Sequence, residues 1–183
     1  KKAKEEDLVY AVPGHPLVAE KSVMLLLAAC KEEGVAYTLY PAVSFVDTML
    51  EALEIDPIQG LRIVDALDIK KEVPDFKKGT IITQVFSAYV ASEVKIALSL
   101  YMADEDEIVF VRGAGTKEAS IRAMPLYELD RQKDIDDLTS IYIPPMEGRY
   151  GFYEFMEIVE RLRDKEDGCP WDMEQTHESL KPY

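Results

Sequence analysis

The spacing of apolar and polar positions changes period along this chain, and each change marks an element. Leu8–Val12 is a short apolar run closed by Pro13-Gly14-His15-Pro16, the pattern of a strand entering a tight turn. From Leu17 to Glu33 the period lengthens. Val23, Leu26, Leu27 and Cys30 recur at i, i+3, i+4 and i+7, and Gly34 stands where a helix C-cap belongs. Val35–Tyr40 reads as a second strand, followed by Pro41-Ala42-Val43. Ser44, with Asp47 three positions on, has the spacing of a capping box that opens another helix. Strand, helix, strand, helix is the order of a parallel α/β unit.

A proline and a glycine between Asp56 and Gly60 mark a boundary. Beyond it Leu61–Ala66 predicts a strand, the segment around Pro74 is irregular, and Thr80–Phe86 is a strongly β-branched strand. Ser87 caps a helix expected to run to Leu100, with Val90, Val94, Ala97 and Tyr101 on one face. Ile108–Val111 and Arg122–Leu129 predict strands around a Gly-Ala-Gly-Thr loop, and Ser140–Ile143 a last strand before Pro144-Pro145. Two successive strands with no helix between them predict a mixed sheet. Gly148–Gly151 reads as a linker to an amphipathic helix defined by Phe152, Phe155, Met156, Val159 and Leu162.

Composition narrows the functional classes. The 183 residues are 48% hydrophobic and 31% charged, ordinary for a globular protein, but 35 acids against 21 bases give a net charge of −14. That balance repels a phosphate backbone, and Lys70-Lys71 and Lys77-Lys78 are too short to offset it, so a nucleic-acid partner is not expected. No apolar run approaches the roughly 20 residues that span a bilayer, so no membrane partner is expected. Cys30 and Cys169 lie far apart without CxxC spacing, which supports neither a disulfide framework nor a zinc site. The N-terminal KKAKEED lacks the apolar stretch of a signal peptide, and a reducing cytoplasm fits best.

Chemistry concentrates at turns. Pro13-Gly14-His15-Pro16, between a strand and a helix, brings backbone amides near a helix N-terminus, where they can meet an anion or simply turn the chain. Pro41–Phe45 occupies the same position one βα unit later. In an open parallel sheet ligands bind at the carboxyl ends of adjacent strands, so both turns face one crevice. Ser44 reads as a helix cap that can also touch a ligand. Gly113-Ala114-Gly115-Thr116 lacks the third glycine of a dinucleotide fingerprint and the Lys-Ser/Thr of a P-loop, leaving a turn where backbone can approach a ligand closely. His177-Glu178 lacks the second histidine of HExxH, no metal-ligating or nucleophilic constellation appears, and no catalytic residue is assigned. Trp171 is expected in a core rather than on a stacking surface.

Taken in order, YAVPGHPLVAE, YPAVSFVD, TIITQVF and GAGTKEASIRAMPLYEL resemble the tetrapyrrole methylase family, over roughly Tyr10–Pro145. GCPWDMEQTHESLKPY resembles the opening of MazG-type nucleoside triphosphate pyrophosphohydrolases, with Phe152–Tyr183 as that second part. The pairing resembles proteins in which a methylase-like domain precedes a MazG-like one. It implies an α/β fold: residues 1–55 as the end of a first methylase subdomain, 60–145 as a second with a mixed sheet, and 152–183 as a truncated MazG start led by a helix. Because Lys1 is not a methionine and Tyr183 precedes any EExxE helix, the chain is expected to be cut from a longer protein.

The resemblance also implies a small-molecule ligand, S-adenosylmethionine, in a cleft between subdomains. The family's cofactor turn falls on Gly14 and His15, with Leu17 opening the helix. The serine turn falls on Ser44 and Phe45, the strand end near the adenine on Val85, and the late Ala-Thr turn on Ala114 and Gly115. His15 replaces the usual acid and Val85 the usual methionine. The glycine-rich loop near the family's N-terminus has no counterpart here. Methyl transfer from a sulfonium asks the protein for alignment and exclusion of water, which explains why no triad is needed. The piece alone is expected to be inactive. For the parent, the alternative is magnesium-dependent nucleoside triphosphate pyrophosphohydrolysis by the MazG part, its metal helix lying beyond Tyr183, with the methylase-like part a regulatory or dimerisation module. Both halves of the resemblance imply a homodimer.

Overall fold

The computed structural model describes residues 2–146, 148 and 152–182, with residues 153 and 154 described for their backbone alone. Residues 149–151 of the expected linker lie outside the described residues. The chain divides into two compact units, one of Lys1–Asp56 with Gly113–Ile121, the other of Pro57–Arg112 with Arg122–Tyr183.

In the second unit the sheet forms where β-branched runs can be buried on both faces. It comprises β1 (Leu61–Asp65), β2 (Gly79–Thr83), β3 (Glu107–Arg112), β4 (Ser120–Pro125) and β5 (Thr139–Ile143) in the order β1-β2-β5-β3-β4. β1 and β2 run parallel, with Arg62 opposite Thr80 and Val64 opposite Ile82. β5 inserts antiparallel between β2 and β3, placing Ile82 and Phe110 on either side of Ile141. The sheet is therefore mixed, as the missing helix between β3 and β4 predicts.

In the second unit, α3 (Ala88–Leu98) begins where Ser87 Oγ accepts the Val90 N–H at 3.2 Å. Its buried residues Val90, Ala91, Val94, Ala97 and Leu98 keep helical spacing and join one core with Val64, Ile82, Phe110 and Ile141. Two 3-10 segments, Ala66–Lys71 and Leu126–Arg131, bring Ile69, Leu126 and Leu129 to the same core. Strand β4 thus ends at Pro125 instead of running to Leu129: the chain turns into a 3-10 segment, which buries Leu126 and Leu129 together.

In the first unit, α1 (Lys21–Glu33) ends at Gly34, whose left-handed conformation lets its N–H reach the Cys30 carbonyl. It starts four residues later than the apolar period predicts, because Ala19 takes a φ of +58° just before it. α2 (Phe45–Leu53) carries the expected capping box. The two predicted strands of this unit, Leu8–Val12 and Val35–Tyr40, are not strands: neither joins a ladder, and Val9 and Tyr40 are 95% and 79% exposed. Apolar runs fix which residues seek burial, but a strand exists only when a neighbour supplies hydrogen bonds about 4.8 Å away.

After the second unit's sheet, α4 (Phe152–Leu162) carries the expected apolar stripe, with Phe152, Phe155, Met156 and Leu162 exposed. Asp164 closes the helix by accepting the N–H groups of Glu166 and Asp167 at 2.8 and 3.0 Å. α5 (Pro170–Glu174) and α6 (His177–Leu180) follow. Trp171 is 54% exposed, correcting its expected core placement; it sits in a five-residue helix that has no buried residue. Gly168, in the GCPWD motif, has a steric reason: a Cβ there would stand 2.2 Å from the Asp164 carbonyl oxygen. No helix among the described residues is long and apolar enough to cross a membrane.

Truncating Leu129, fully buried beneath α3, to alanine is expected to cost about 2–5 kcal/mol. Urea unfolding checks this; a loss within experimental scatter would mean that the 3-10 segment is not part of the core.

Candidate functional site

The first unit gathers three turns around the N-terminal end of α2. Ser44, 8% exposed, is the hub. Its backbone N–H and its hydroxyl both donate to Asp47 Oδ2 at 2.7 Å, while its Oγ accepts the Val46 N–H at 3.2 Å. The Ser44 hydroxyl, then the Ser44 N–H, hold the Asp47 carboxyl below the ordinary aspartate range, and His15 adds a smaller attraction. Asp47 itself is solvent-exposed, so the ion sits at the surface of the turn cluster.

The Pro13–Pro16 turn lies against this hub. Gly14 has a φ of +73°, and a Cβ on it would meet the Val43 carbonyl oxygen at 3.5 Å and Ser44 Cα at 4.0 Å. His15 braces the turn: its Nδ1 accepts the Leu17 N–H at 3.2 Å and its carbonyl accepts the Val18 N–H at 3.1 Å. With one ring nitrogen occupied as an acceptor, the side chain makes an Asx-type turn contact.

The third turn arrives from residues 113–121. Thr116 folds it by donating its Oγ1 hydrogen to the Gly113 carbonyl at 2.7 Å, and its N–H to the same oxygen at 3.0 Å. Gly115 then presses on α2. At a φ of +80°, a Cβ would stand 2.6 Å from Thr48 Cγ2 and 3.0 Å from Thr48 Cβ. Thr48 is fixed in turn, its hydroxyl donating to the Phe45 carbonyl at 2.9 Å.

Gly14, His15, Leu17, Ser44, Phe45, Ala114 and Gly115 thus fall in one unit. Gly14, Leu17 and Gly115 are exposed, and His15, Phe45 and Ala114 are half-buried. Val85 belongs to the other unit, where its side chain is fully buried and its N–H donates to the Thr139 carbonyl at 3.2 Å. Its neighbours are the accessible groups: Gln84, at a φ of +65°, is partly buried and Phe86 is 39% exposed. Such a φ on a non-glycine residue costs on the order of 1 kcal/mol or more. Sequence reasoning took Asp47 for a cap alone and passed over Thr48. The first was visible as a capping box, whereas the second has no sequence signal, since it matters only because Gly115 lands on it. Among the described residues no group of three or more His, Cys, Asp or Glu side chains is placed to hold a metal ion.

A chemical shift titration of Asp47 is expected to show a midpoint below that of an ordinary aspartate. A depressed carboxyl stabilises the fold above the unfolded-state pKa, and the contribution disappears as pH falls through the folded-state value. Ser44→Ala is expected to move the midpoint back up; an unchanged midpoint would remove the serine as the cause. Separately, Gly115→Ala is expected to destabilise the chain by about 1 kcal/mol or more, through φ strain and the Thr48 clash. Adding Thr48→Ser, which deletes Cγ2, is expected to restore part of the loss in thermal unfolding. No restoration would show that the clash is relieved elsewhere.

Comparison with known proteins bears on this arrangement. Residues 1–130 match the family model for Tetrapyrrole (Corrin/Porphyrin) Methylases. The chain is 43% identical over 185 residues to the uncharacterized protein YabN of Bacillus subtilis, across 99% of this chain and 38% of the relative, so it spans about two fifths of that protein's length. It is 62% identical over 32 residues to the nucleoside triphosphate pyrophosphohydrolase/pyrophosphatase MazG of Thermotoga maritima, covering 18% of this chain and 12% of that one. In structure it is similar to uroporphyrin-III-C-methyltransferase from Thermus thermophilus, with a TM-score of 0.59 at 13% identity, over 72% of this chain and 61% of that one. At that identity the likeness speaks for the fold.

Proposed function

The chain belongs to the tetrapyrrole (corrin/porphyrin) methylases, and from that premise we propose that its three-turn cluster forms part of an S-adenosylmethionine site of a methyltransferase. The observation that carries the proposal is the close approach of the Gly115 backbone to Thr48 of α2, where a side chain would intrude, beside the left-handed Gly14 turn at van der Waals distance from Val43 and Ser44. That geometry leaves main-chain amides and carbonyls, not side chains, at the surface of the cluster, and such groups suit a cofactor bound by its polar edge.

S-adenosylmethionine supplies an activated methyl group on a sulfonium, so the chain's own contribution is to bind, align and exclude water. Gly14, Ala114 and Gly115 would hold the cofactor by backbone. Ser44 and Asp47 would fix the floor, since their mutual hydrogen bonds keep the carboxylate ionised and the α2 N-terminus closed. His15 would set the shape of the first turn by its Nδ1 contact rather than by charge.

The finer part of the reading is attachment to a MazG-like region. It rests on the GCPWDMEQTHESLKPY motif, the short likeness to pyrophosphohydrolases and the steric need for Gly168 within that motif. Pyrophosphohydrolysis would then be a second activity of a longer protein.

Calorimetric titration of S-adenosylhomocysteine into the protein tests the proposal. Saturable binding is expected, weakened at least about tenfold by Gly115→Trp, which fills the approach to Thr48, and more mildly by His15→Ala. No heat of binding at millimolar ligand would overturn the reading.

A further inference from the structure

Within the first unit, His15 has two partners that one protonation state cannot serve. A neutral imidazole carries its hydrogen on one ring nitrogen and accepts at the other. Here Nδ1 accepts the Leu17 N–H at 3.2 Å, which places the ring hydrogen on Nε2. The second partner is Asp47, at the opening of α2. Its carboxyl is held below the ordinary aspartate range by the Ser44 hydroxyl first, then by the Ser44 N–H, with the charge of His15 as a smaller attraction. A carboxylate so held stays ionised through the range in which imidazoles take up a proton, about pH 5 to 8.

The two partners ask for opposite states. The Leu17 N–H needs a bare Nδ1, whereas the Asp47 carboxylate attracts an imidazolium. Protonation puts a hydrogen on Nδ1, so two N–H groups then point at each other and the Leu17 contact is lost. Few other charges bear on the ring. Residues 8–19 around it hold no charged side chain, Tyr10 being their one other titratable group, and the 41–44 segment against Gly14 holds none. Glu20 and Lys21 at the start of α1, and Lys117 and Glu118 on the third turn, each bring opposite signs together.

We propose that His15 is a proton-controlled positioning residue of the three-turn cluster. Neutral, it locks the Pro13–Pro16 turn through the Leu17 amide. Protonated from solvent, it leaves Leu17 and turns to the Asp47 carboxylate. The Val18 N–H bond to the His15 carbonyl, at 3.1 Å, does not involve the ring, so the turn loosens without unfolding. A ligand held on the Gly14 backbone is then bound more weakly in mild acid than at neutral pH. That regulation rests on the cofactor reading of the cluster, but the switch itself is readable without ligand.

Spectra of the 15N-labelled chain from about pH 8 to about pH 5 test it. The Leu17 amide proton is expected to move upfield in one step with the His15 ring nitrogens, whose shifts at the high-pH end report the Nε2–H form. This comparison uses the unaltered chain, so it decides even where a variant fails to fold. His15→Asn, whose carboxamide oxygen accepts at every pH, is expected to remove the step, and His177→Gln, which deletes the other imidazole, to leave it. The dissociation constant of S-adenosylhomocysteine is expected to rise about threefold to tenfold over the same range, and less than about twofold in His15→Asn. A Leu17 amide that stays in place while the His15 ring titrates, or a step that persists in His15→Asn, would overturn the switch. Binding that is present but indifferent to pH would overturn the regulation. No binding at all would overturn the cofactor reading and the regulation with it, while the Leu17 step would still establish the switch.

Discussion

The second unit depends on one insertion. β5, made by residues more than fifty positions from β2, enters the sheet between β2 and β3 and completes the hydrogen bonding of both. Every residue of β5 is buried, which is what a central strand with two neighbours and two covered faces requires. Without it, β1–β2 would be a two-stranded parallel pair, and β3–β4 would be a separate pair with no bond to it. Two strands alone are marginal in water. The α3 stripe and the two 3-10 segments have a continuous surface to pack on only because β5 joins the pairs.

A comparable constraint organises the first unit on a smaller scale. Ser44 makes three hydrogen bonds in the space of four residues, and Asp47 receives two of them. That closed box presents the N-terminal turn of α2 as a rigid surface, and the Gly14 and Gly115 backbones come to rest on either part of it. The candidate cofactor site is therefore defined by backbone approach, with side chains in supporting roles. This is consistent with chemistry in which the reactive group is brought by the cofactor and the protein supplies position.

Local patterns were legible to the extent that their physics is local. The capping box of Ser44 and Asp47, the Gly34 cap, the Ser87 cap and the Val90–Val94–Ala97 stripe all involve residues within one or two helical turns. The turn glycines were legible as turn glycines. Trp171 and the runs Leu8–Val12 and Val35–Tyr40 were misjudged for a shared reason. Hydrophobicity gives the tendency to be buried, while burial itself needs a covering surface, and Val9, Tyr40 and Trp171 stay largely exposed. Thr48 was silent, because a threonine acquires meaning only from what is brought against it.

By itself, then, the sequence determined the helices and their caps, the strands of the second unit, the mixed character of the sheet and the family to which the chain belongs. These follow from short-range hydrogen bonding, side-chain periodicity and motifs in consecutive order. Tertiary structure alone decided the central place of β5 and the seating of Gly115 on Thr48. Each of these joins residues that are distant in the chain, and their proximity comes from the packing of the whole unit rather than from any local preference.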